Sequence, residues 1–477
     1  MLIGVMFFMF IELYHMLDGY VIFDVNTNLV FRISKELYVF LIKNKAKKYH
    51  DIKDVIPINL RSEFSFLLSQ GCLLDNYPSI IEHPANRFLK SLSQGSLSIM
   101  LLQVTRACNF KCRYCAFSDD TNLERCHQNK RMTWEIAKTA VDFLYKNSFY
   151  SKKVQIGFYG GEPLLEKELI KKIVTYANHL FNNKEINYVM TTNLSLLSDD
   201  FIDVIENNPF KIAISLDGPP ELHNKNRRFA CNGEGTFDLI VNKLNKLKKG
   251  VSDLSKISIS AVIDPEEEYD RYINYFENSD LLKDISIETD FIDSSRLTHN
   301  IIVPKEKDIK HKLIKLKQYL KIILNGGNIN IKNPNECEMD IINSCYDFQQ
   351  KNPLKYKEHH QGPCVPGVRK LFVSIEGNFL PCEKVSEASN CMKIGNIYDG
   401  FNFERMEKIL NIGKLTEEEC IHCTSIRHCK MCAKDIDNIV ELSADIKKQL
   451  CNRQKKSLRS QIEKYLILKA SGFFDKI

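Results

Sequence analysis

The chain has 477 residues, too many for one ordinary hydrophobic core, so two or three domains are expected. Hydrophobic residues make up 44% of it and charged residues 26%, which is typical of globular proteins. The net charge of +6, from 66 basic and 60 acidic residues, is a weak bias. No block of like charges marks a nucleic-acid-binding tail, so we expect no nucleic-acid partner.

The first residues, Met1–Ile11, form an apolar run. A bilayer-spanning helix needs about 20 apolar residues, and a secretory signal carries basic residues before its apolar stretch. This run is too short and has no basic residue before it. We therefore favour an extended or misassigned start over a membrane role, and expect no membrane partner.

Residues 1–94 have the pattern of a small α+β module. Alternating apolar residues and turn signals predict a hairpin and a third strand, followed by helices. Ser91–Ser98 is rich in serine and predicts a linker to the next domain. The predicted elements are a hairpin over Tyr14–Val25, a strand over Leu29–Ile33, a helix capped by Ser34 through Lys43, and a helix over Ser62–Ser69.

Residues 95–300 alternate between strand and helix patterns. Six such units predict a parallel, partial (β/α)6 barrel, whose sites lie at the C-terminal ends of the strands. The predicted strands are Ser98–Thr105, Lys153–Tyr159, Asn187–Thr192, Lys211–Leu216, Ile257–Ile263 and Asp284–Thr289. The predicted helices are Thr133–Lys146, Glu166–Leu180, Ser198–Asn207, Thr236–Lys249 and Glu266–Glu277.

The last third of the chain divides in two. Lys305–Leu324 has the spacing of an amphipathic helix and predicts a helical bridge over residues 301–360. Residues 361–477 show little regular pattern but contain eight of the 16 cysteines, which predicts a Cys-rich domain.

Three of the cysteines, Cys108, Cys112 and Cys115, follow the first barrel strand with CxxxCxxC spacing. Clustered cysteines in a long chain indicate a metal site rather than disulfides, and hence a reducing cytoplasm. Three thiolates can hold three irons of a cubane cluster, leaving the fourth iron open to a small molecule. A zinc loop is the alternative, but zinc would require a fourth Cys or His at short spacing.

CxxxCxxC with Tyr114 before its third cysteine resembles the radical S-adenosylmethionine (SAM) superfamily. The resemblance implies one [4Fe–4S] cluster whose open iron chelates SAM. Its reductive cleavage gives a 5′-deoxyadenosyl radical, which abstracts a hydrogen atom from the substrate. The cofactors supply the chemistry and the protein supplies positioning. A reductant such as flavodoxin or ferredoxin is implied as a partner.

Further motifs stand where that superfamily has its SAM contacts. Gly160, Gly161, Glu162 and Pro163 follow the second strand, and the resemblance implies contact with the SAM amino group. The resemblance also implies SAM-binding roles for residues at or after later strands. These are Asn193 after the third strand, Ser215 near the ribose, Arg227 near the carboxylate and Val262 near the adenine.

The C-terminal cysteines resemble the SPASM extension, which binds two auxiliary [4Fe–4S] clusters. Only two residues separate Cys429 from Cys432, whereas three are usual in that family. The resemblance assigns two ligand sets: Cys364, Cys382 and Cys432 for the first cluster, and Cys420, Cys423, Cys429 and Cys451 for the second. A zinc ribbon is the alternative for Cys420–Cys432.

The first auxiliary set lacks a fourth ligand. The fourth ligand is either a spare side chain or a substrate thiolate that binds an open iron. The spare side chains are His359, His360, Cys345 and Cys391, while Glu358 and Lys370 stand where some relatives have a further cysteine.

SPASM enzymes act on peptides or proteins, and the N-terminal module resembles a peptide recognition element that adds a leader peptide as a strand to its sheet edge. Gly362–Lys384 and Leu415–Cys423 resemble segments of maturases of Cys-rich peptides. The resemblance implies a precursor peptide as substrate and thioether formation between a Cys sulfur and a carbon.

Alternatives to the thioether reaction stay open. They are a sulfatase-maturing enzyme, which lacks the N-terminal module, a maturase forming carbon–carbon links, and a non-enzymatic iron–sulfur or zinc protein. No catalytic base is assigned.

Overall fold

The computed structural model describes residues 9–16, 19–115, 127–292 and 353–470, together with 313, 320, 324 and 348. Most of the predicted bridge over 301–360, with its helix Lys305–Leu324, lies outside the described residues. So does most of the apolar run Met1–Ile11. Within the described ranges, no helix combines the length and apolarity needed to cross a bilayer.

The N-terminal module is a three-stranded antiparallel sheet with helices packed against it. Strand order is β1-β2-β3, and the Ser34 side chain caps the first helix by accepting from the Leu37 amide. Its elements are β1 Ile11–Met16, β2 Gly19–Asp24, β3 Leu29–Ile33, α1 Lys35–Asn44, α2 Tyr49–Ile52, α3 Arg61–Ser69, β4 Ile80–Ile81 and α4 Leu89–Ser93. The serine-rich stretch predicted as a linker therefore begins inside a helix, and Ser93 is buried.

Six parallel strands follow, each hydrogen-bonded to the next in chain order. This confirms the predicted strand–helix units, and among the described residues the sheet does not close into a barrel. The strands are β5 Ile99–Thr105, β6 Lys153–Gly160, β7 Glu185–Thr192, β8 Phe210–Ser215, β9 Ile257–Ile263 and β10 Ser286–Phe291. The intervening helices are α5 Trp134–Asn147, α6 Lys167–Leu180, α7 Asp199–Asn207, α8 Pro220–Asn226, α9 Phe237–Gly250 and α10 Tyr269–Asn278.

The C-terminal region continues the same sheet. The strand Lys370–Val373 pairs in parallel with β5, and antiparallel strands extend the sheet to ten strands. A separate two-stranded pairing joins β11 to β4. These strands are β11 Lys357–Glu358, β12 Lys370–Val373, β13 Asn378–Leu380, β14 Gly395–Asn396 and β15 Gly400–Phe401.

Three helices complete the C-terminal region: α11 Phe403–Leu410, α12 Glu417–Ile421 and α13 Ala444–Ala470. The sequence indicated little regular structure here, and the 27-residue helix α13 contradicts that expectation. Its charges are spread around the helix, so its apolar stripe is thin. Leu458, Ile462 and Leu466 nevertheless bury against the N-terminal module, which stabilises the helix by tertiary packing.

Candidate active site

The C-terminal ends of β5 to β8 enclose a cavity of about 260 Å³. The CxxxCxxC loop forms one wall and the β6–α6 turn forms another. Nine predicted site residues line this cavity: Cys108, Cys112, Cys115, Gly160, Gly161, Glu162, Asn193, Ser215 and Arg227. Pro163 is buried in the turn beside it. The structure therefore brings the predicted cluster ligands and SAM-binding residues to one place.

A hydrogen-bonded amide pair orients the cysteine loop. Asn193 Nδ2 donates to Asn109 Oδ1 over 2.9 Å, and Asn109 Nδ2 donates to Ser195 Oγ over 2.8 Å. Ser195 in turn donates through its amide and hydroxyl to Asn193 Oδ1. Because Asn109 lies between Cys108 and Cys112, this network fixes the loop to the end of β7.

Glu162 ties the end of β6 to the end of β7. Its carboxylate accepts from Thr192 Oγ1 at 2.6 Å, the Asn193 amide at 2.7 Å and the Leu164 amide at 2.9 Å. Burial raises the pKa of Glu162, and these hydrogen bonds oppose the rise. Oε1 accepts two of these bonds and Oε2 accepts one, so Oε2 can accept from a further donor such as an amino group.

Arg227 lies in a buried charge network beneath the cysteine loop. Its Nε donates to Asp217 Oδ2 over 2.9 Å, and Tyr114 Oη donates to the same oxygen over 2.6 Å. Its Nη1 lies 4.0 Å from Cys112 Sγ. The Val262 amide donates to Asp217 Oδ1 over 3.1 Å. One guanidinium edge is thus fixed by Asp217, while the side chain still lines the cavity.

Two glycines let the β6 turn pack against β5 and the cysteine loop. A Cβ at Gly160 would lie 2.0 Å from the Thr105 carbonyl oxygen. A Cβ at Gly161 would lie 2.2 Å from the Ala107 carbonyl oxygen and 2.9 Å from Cys108 Cβ. Any side chain at either position would displace the backbone that carries Cys108.

The three loop thiols are free, and burial raises the pKa of both Cys108 and Cys112 to about 12. Such thiols remain protonated near neutral pH until a metal displaces the proton. Within the described part of the chain, no three His, Cys, Asp or Glu side chains converge to hold a single metal ion. Thiolates on separate irons of a cubane need no common point, so the three cysteines are compatible with such a cluster.

The C-terminal cysteines fall into two groups. Cys432 interacts electrostatically with Cys382 and Cys364, and Cys382 with Cys364. Cys423 interacts with Cys420 and Cys451, while Cys429 interacts with Cys423 and Cys420. The tertiary structure therefore groups the cysteines that the family resemblance assigned to the same ligand set, and we call these groups the three-cysteine set and the four-cysteine set.

Two of the side chains considered as a fourth ligand of the three-cysteine set, Cys391 and His359, make hydrogen bonds elsewhere. Cys391 Sγ donates to the Val440 carbonyl over 3.2 Å. Both nitrogens of His359 are in hydrogen bonds, to the His360 carbonyl and from the Gly413 amide. His360 lies beside the Cys429 backbone, in the other set. Cys345 lies outside the described residues.

The N-terminal module is attached to the four-cysteine set. Arg427 lies between Cys423 and Cys429, and it donates to the Val25 carbonyl over 2.6 Å and to the Asn26 carbonyl over 2.8 Å. His428 Nε2 lies 2.7 Å from Asn28 Oδ1. The β2–β3 turn is therefore held against the loop that carries these cysteines.

Sequence reasoning missed several residues that position this site. The group comprises Asn109, Ser195, Asp217, His223 and Lys447. Asp217 lies two positions after the predicted site residue Ser215, at the end of a strand, and this position was a usable signal. Asn109, Ser195 and Lys447 act through contacts with distant parts of the chain, which no local pattern reveals. His223 bonds to residues only 6 and 13 positions away.

Comparison with known proteins agrees with this geometry. Residues 102–276 match the family model of the Radical SAM superfamily. A cysteine-type anaerobic sulfatase-maturating enzyme of Clostridium perfringens is 22% identical over 345 residues, covering 70% of this chain and 88% of that protein. The radical SAM cyclopropyl synthase TigE of Paramaledivibacter caminithermalis is 22% identical over 427 residues, covering 87% and 83%.

The solved structure of native anSMEcpe with bound AdoMet and Kp18Cys peptide superimposes with a TM-score of 0.55. It shares 21% sequence identity and covers 80% of this chain and 99% of its own, so the likeness concerns the fold. The chain therefore contains a radical SAM domain and is related to the anaerobic sulfatase-maturating enzymes.

Proposed function

We propose that the chain is a radical SAM maturase that forms thioether links in a ribosomally made, Cys-rich peptide. The observation that carries this proposal is the three-cysteine set, in which Cys364 is exposed. Cys391 and His359 make hydrogen bonds elsewhere and His360 lies beside the Cys429 backbone of the other set, which favours a [4Fe–4S] cluster with an open iron at the three-cysteine set. A substrate thiolate is a suitable ligand for such an iron.

The SAM cavity contains the groups that the radical step needs. When bound there, SAM and a [4Fe–4S] cluster supply a 5′-deoxyadenosyl radical. Cys108, Cys112 and Cys115 would hold that cluster, while Glu162 and Arg227 would orient the amino and carboxylate groups of SAM. Arg is suited to bidentate carboxylate binding. The hydrogen bond between Asn109 and Asn193 would hold the cysteine loop in position relative to Glu162 and Arg227.

The reaction balances as a two-electron oxidation of the peptide. A C–H bond and an S–H bond are lost, and one C–S bond forms. One hydrogen atom leaves with 5′-deoxyadenosine, and the second leaves as a proton to solvent and an electron to an iron–sulfur acceptor. The two auxiliary clusters that we propose for the C-terminal cysteines would supply such an acceptor.

The N-terminal module supports a peptide substrate with a leader. Residues 95–477 are 383 of 477, about 80% of the chain. The match to the cyclopropyl synthase covers 87% of this chain. This is more than residues 95–477 can supply, so the match extends into residues 1–94. The match to the sulfatase-maturating enzyme covers 70% of this chain, a share that residues 95–477 can supply without the N-terminal module.

β3 is the edge of the module that we propose for the leader. The β1 edge is occupied, since Arg459 of α13 donates to the His15 carbonyl over 3.1 Å. Within the described residues β3 pairs only with β2. Phe31 of β3 and Phe66 of α3 lie edge to face at 5.5 Å, and Phe66 is half exposed. These two rings would form an apolar surface for side chains of a leader peptide added as a strand beside β3.

The leader proposal is tested by binding of a fluorescent leader peptide. We expect Phe66→Ala to weaken binding tenfold or more, about 1.4 kcal/mol. Phe149→Ala serves as the matched control, since Phe149 is exposed but lies outside the module. Equal affinity of Phe66→Ala and the parent chain would contradict the β3 site.

The reaction is tested by co-expression with a Cys-rich peptide encoded beside its gene, followed by mass spectrometry. A thioether removes two hydrogens per link and makes one thiol resistant to alkylation by iodoacetamide. A carbon–carbon link removes two hydrogens but leaves the thiols reactive. Formylglycine formation removes the sulfur. Either of the last two products would contradict the thioether proposal. A carbon–carbon link would favour the reaction type suggested by the cyclopropyl synthase, and formylglycine the type suggested by the sulfatase-maturating enzyme.

A further inference from the structure

Lys447 is buried beside the four-cysteine set. Its side chain is 2% exposed, and its Nζ donates to Cys420 Sγ over 3.1 Å and also to Thr416 Oγ1. Lys447 lies one turn before Cys451 on α13, so the same helix face carries both. The lysine is thus fixed between two members of the set.

No acidic partner explains this lysine. Among the described residues, no carboxylate oxygen lies within 4.0 Å of its Nζ. Glu419, which interacts with Lys447 electrostatically, pairs with Lys448 over 2.7 Å instead. Burying an ammonium group without a counter-charge costs several kcal/mol. An anionic group at the four-cysteine set would supply that counter-charge.

Four thiolates around a [4Fe–4S] cluster give such an anionic group, and its charge becomes more negative on reduction. Hydrogen bonds to the sulfurs and nearby charges set the reduction potential of a cluster. A cationic N–H donor at a ligand sulfur stabilises the reduced form more than the oxidised form. The direction of the effect is therefore toward a higher potential.

We propose that Lys447 is a positioning residue of the second auxiliary centre, which donates a hydrogen bond to Cys420 and raises the reduction potential of the cluster held by the four-cysteine set. The inference rests on the proposed auxiliary cluster, and it does not depend on the peptide or on thioether chemistry. It assigns to this centre a lysine that the cysteine pattern does not contain.

The test is a redox titration monitored by electron paramagnetic resonance, on anaerobically reconstituted full-length protein. Cys108→Ala, Cys112→Ala and Cys115→Ala are introduced first, so that only the auxiliary centres titrate. Lys447→Met is compared with Lys447→Arg, which keeps the charge. Lys448→Met is the matched control, since Lys448 is the next residue on the same helix and its side chain is half exposed.

In Lys447→Met we expect one of the two reduction steps to become at least tenfold less favourable, about 59 mV for one electron. The other step should stay in place as an internal reference, and Lys447→Arg and Lys448→Met should resemble the parent. Loss of one cluster in Lys447→Met alone, by iron content, would also support the proposal.

Three outcomes would overturn the inference. The first is an unchanged potential in Lys447→Met at full iron content. The second is an equal shift in Lys447→Arg, which would assign the effect to packing. The third is zinc instead of iron at the four-cysteine set in the parent chain. Since no peptide is present, none of these outcomes bears on the substrate proposed above.

Discussion

The guanidinium of Arg227 and the carboxylate of Asp217 form a buried ion pair, with 2.9 Å between Nε and Oδ2. Tyr114, from the cysteine loop, donates to the same carboxylate oxygen. Asp217 therefore connects the loop that would hold the cluster to the arginine proposed for the SAM carboxylate. Loss of its charge should disturb both elements.

Asp217→Asn should weaken SAM binding tenfold or more, which is about 1.4 kcal/mol. It should also lower the free energy of unfolding by about 3 kcal/mol, because Arg227 would keep a buried, unpaired charge. Equilibrium binding of SAM and urea unfolding measure the two effects. Asp199→Asn is the control, since its ion pair with Lys246 is exposed and should be worth under about 1 kcal/mol. Parent-like SAM affinity in Asp217→Asn would argue against the positioning role.

Gly161→Ala should prevent normal assembly of the cluster at Cys108, Cys112 and Cys115. The added Cβ would meet the Ala107 carbonyl oxygen at 2.2 Å, and this contact can be relieved only by moving the cysteine loop. We expect a loss of about four of twelve irons per chain and no 5′-deoxyadenosine.

Gly233→Ala tests glycine replacement without a collision, because Gly233 has a φ of +70° but no atom within 4 Å of the added Cβ. It should cost about 1–2 kcal/mol of backbone strain and keep all the iron. Full iron content and SAM cleavage in Gly161→Ala would show that the turn tolerates a side chain.

Cys382→Ala should remove about four irons, while Cys391→Ala should remove none. Cys382 interacts with Cys364 and Cys432, whereas the Cys391 thiol donates to the Val440 carbonyl. Iron analysis and Mössbauer spectroscopy of the two variants make the comparison. Iron loss in Cys391→Ala would identify that thiol as a ligand and remove the main argument for an open iron.

Stability should fall between pH 6.5 and about pH 4, partly because of His223. Burial lowers the pKa of His223 from 6.5 to about 4. The unfolded state therefore binds the proton first as the pH falls. The stabilisation is complete above pH 6.5 and decreases toward pH 4, by up to about 3 kcal/mol. Urea unfolding at several pH values should detect this slope.

His223→Gln should flatten that slope, because the titrating ring is gone. Thr236→Val is the matched control, since it removes the hydrogen bond between Thr236 Oγ1 and His223 Nε2 but keeps the ring. It should destabilise the fold by about 1–3 kcal/mol at every pH and leave the slope intact. An unchanged slope in His223→Gln would assign the pH dependence to other groups.

The amino-acid sequence determined the parts of this protein that depend on local spacing. CxxxCxxC places three thiolates on one short loop whatever the rest of the chain does. The alternation of strand and helix patterns determined the parallel sheet, because period-two and helical patterns are properties of short segments. The grouping of Cys364 with Cys382 and Cys432 followed from family resemblance, and the tertiary structure brings those residues together.

Only the tertiary structure decided how distant segments meet around these sites. Arg427 reaches the Val25 carbonyl from 402 positions away, and Lys447 of α13 reaches Cys420 of α12 from 27 positions away. Helix α13 escaped sequence prediction because charges surround its thin apolar stripe, and packing against the N-terminal module makes it stable. A hydrogen bond or ion pair between residues far apart in the chain depends on how whole helices and strands pack, and local sequence patterns do not predict that packing.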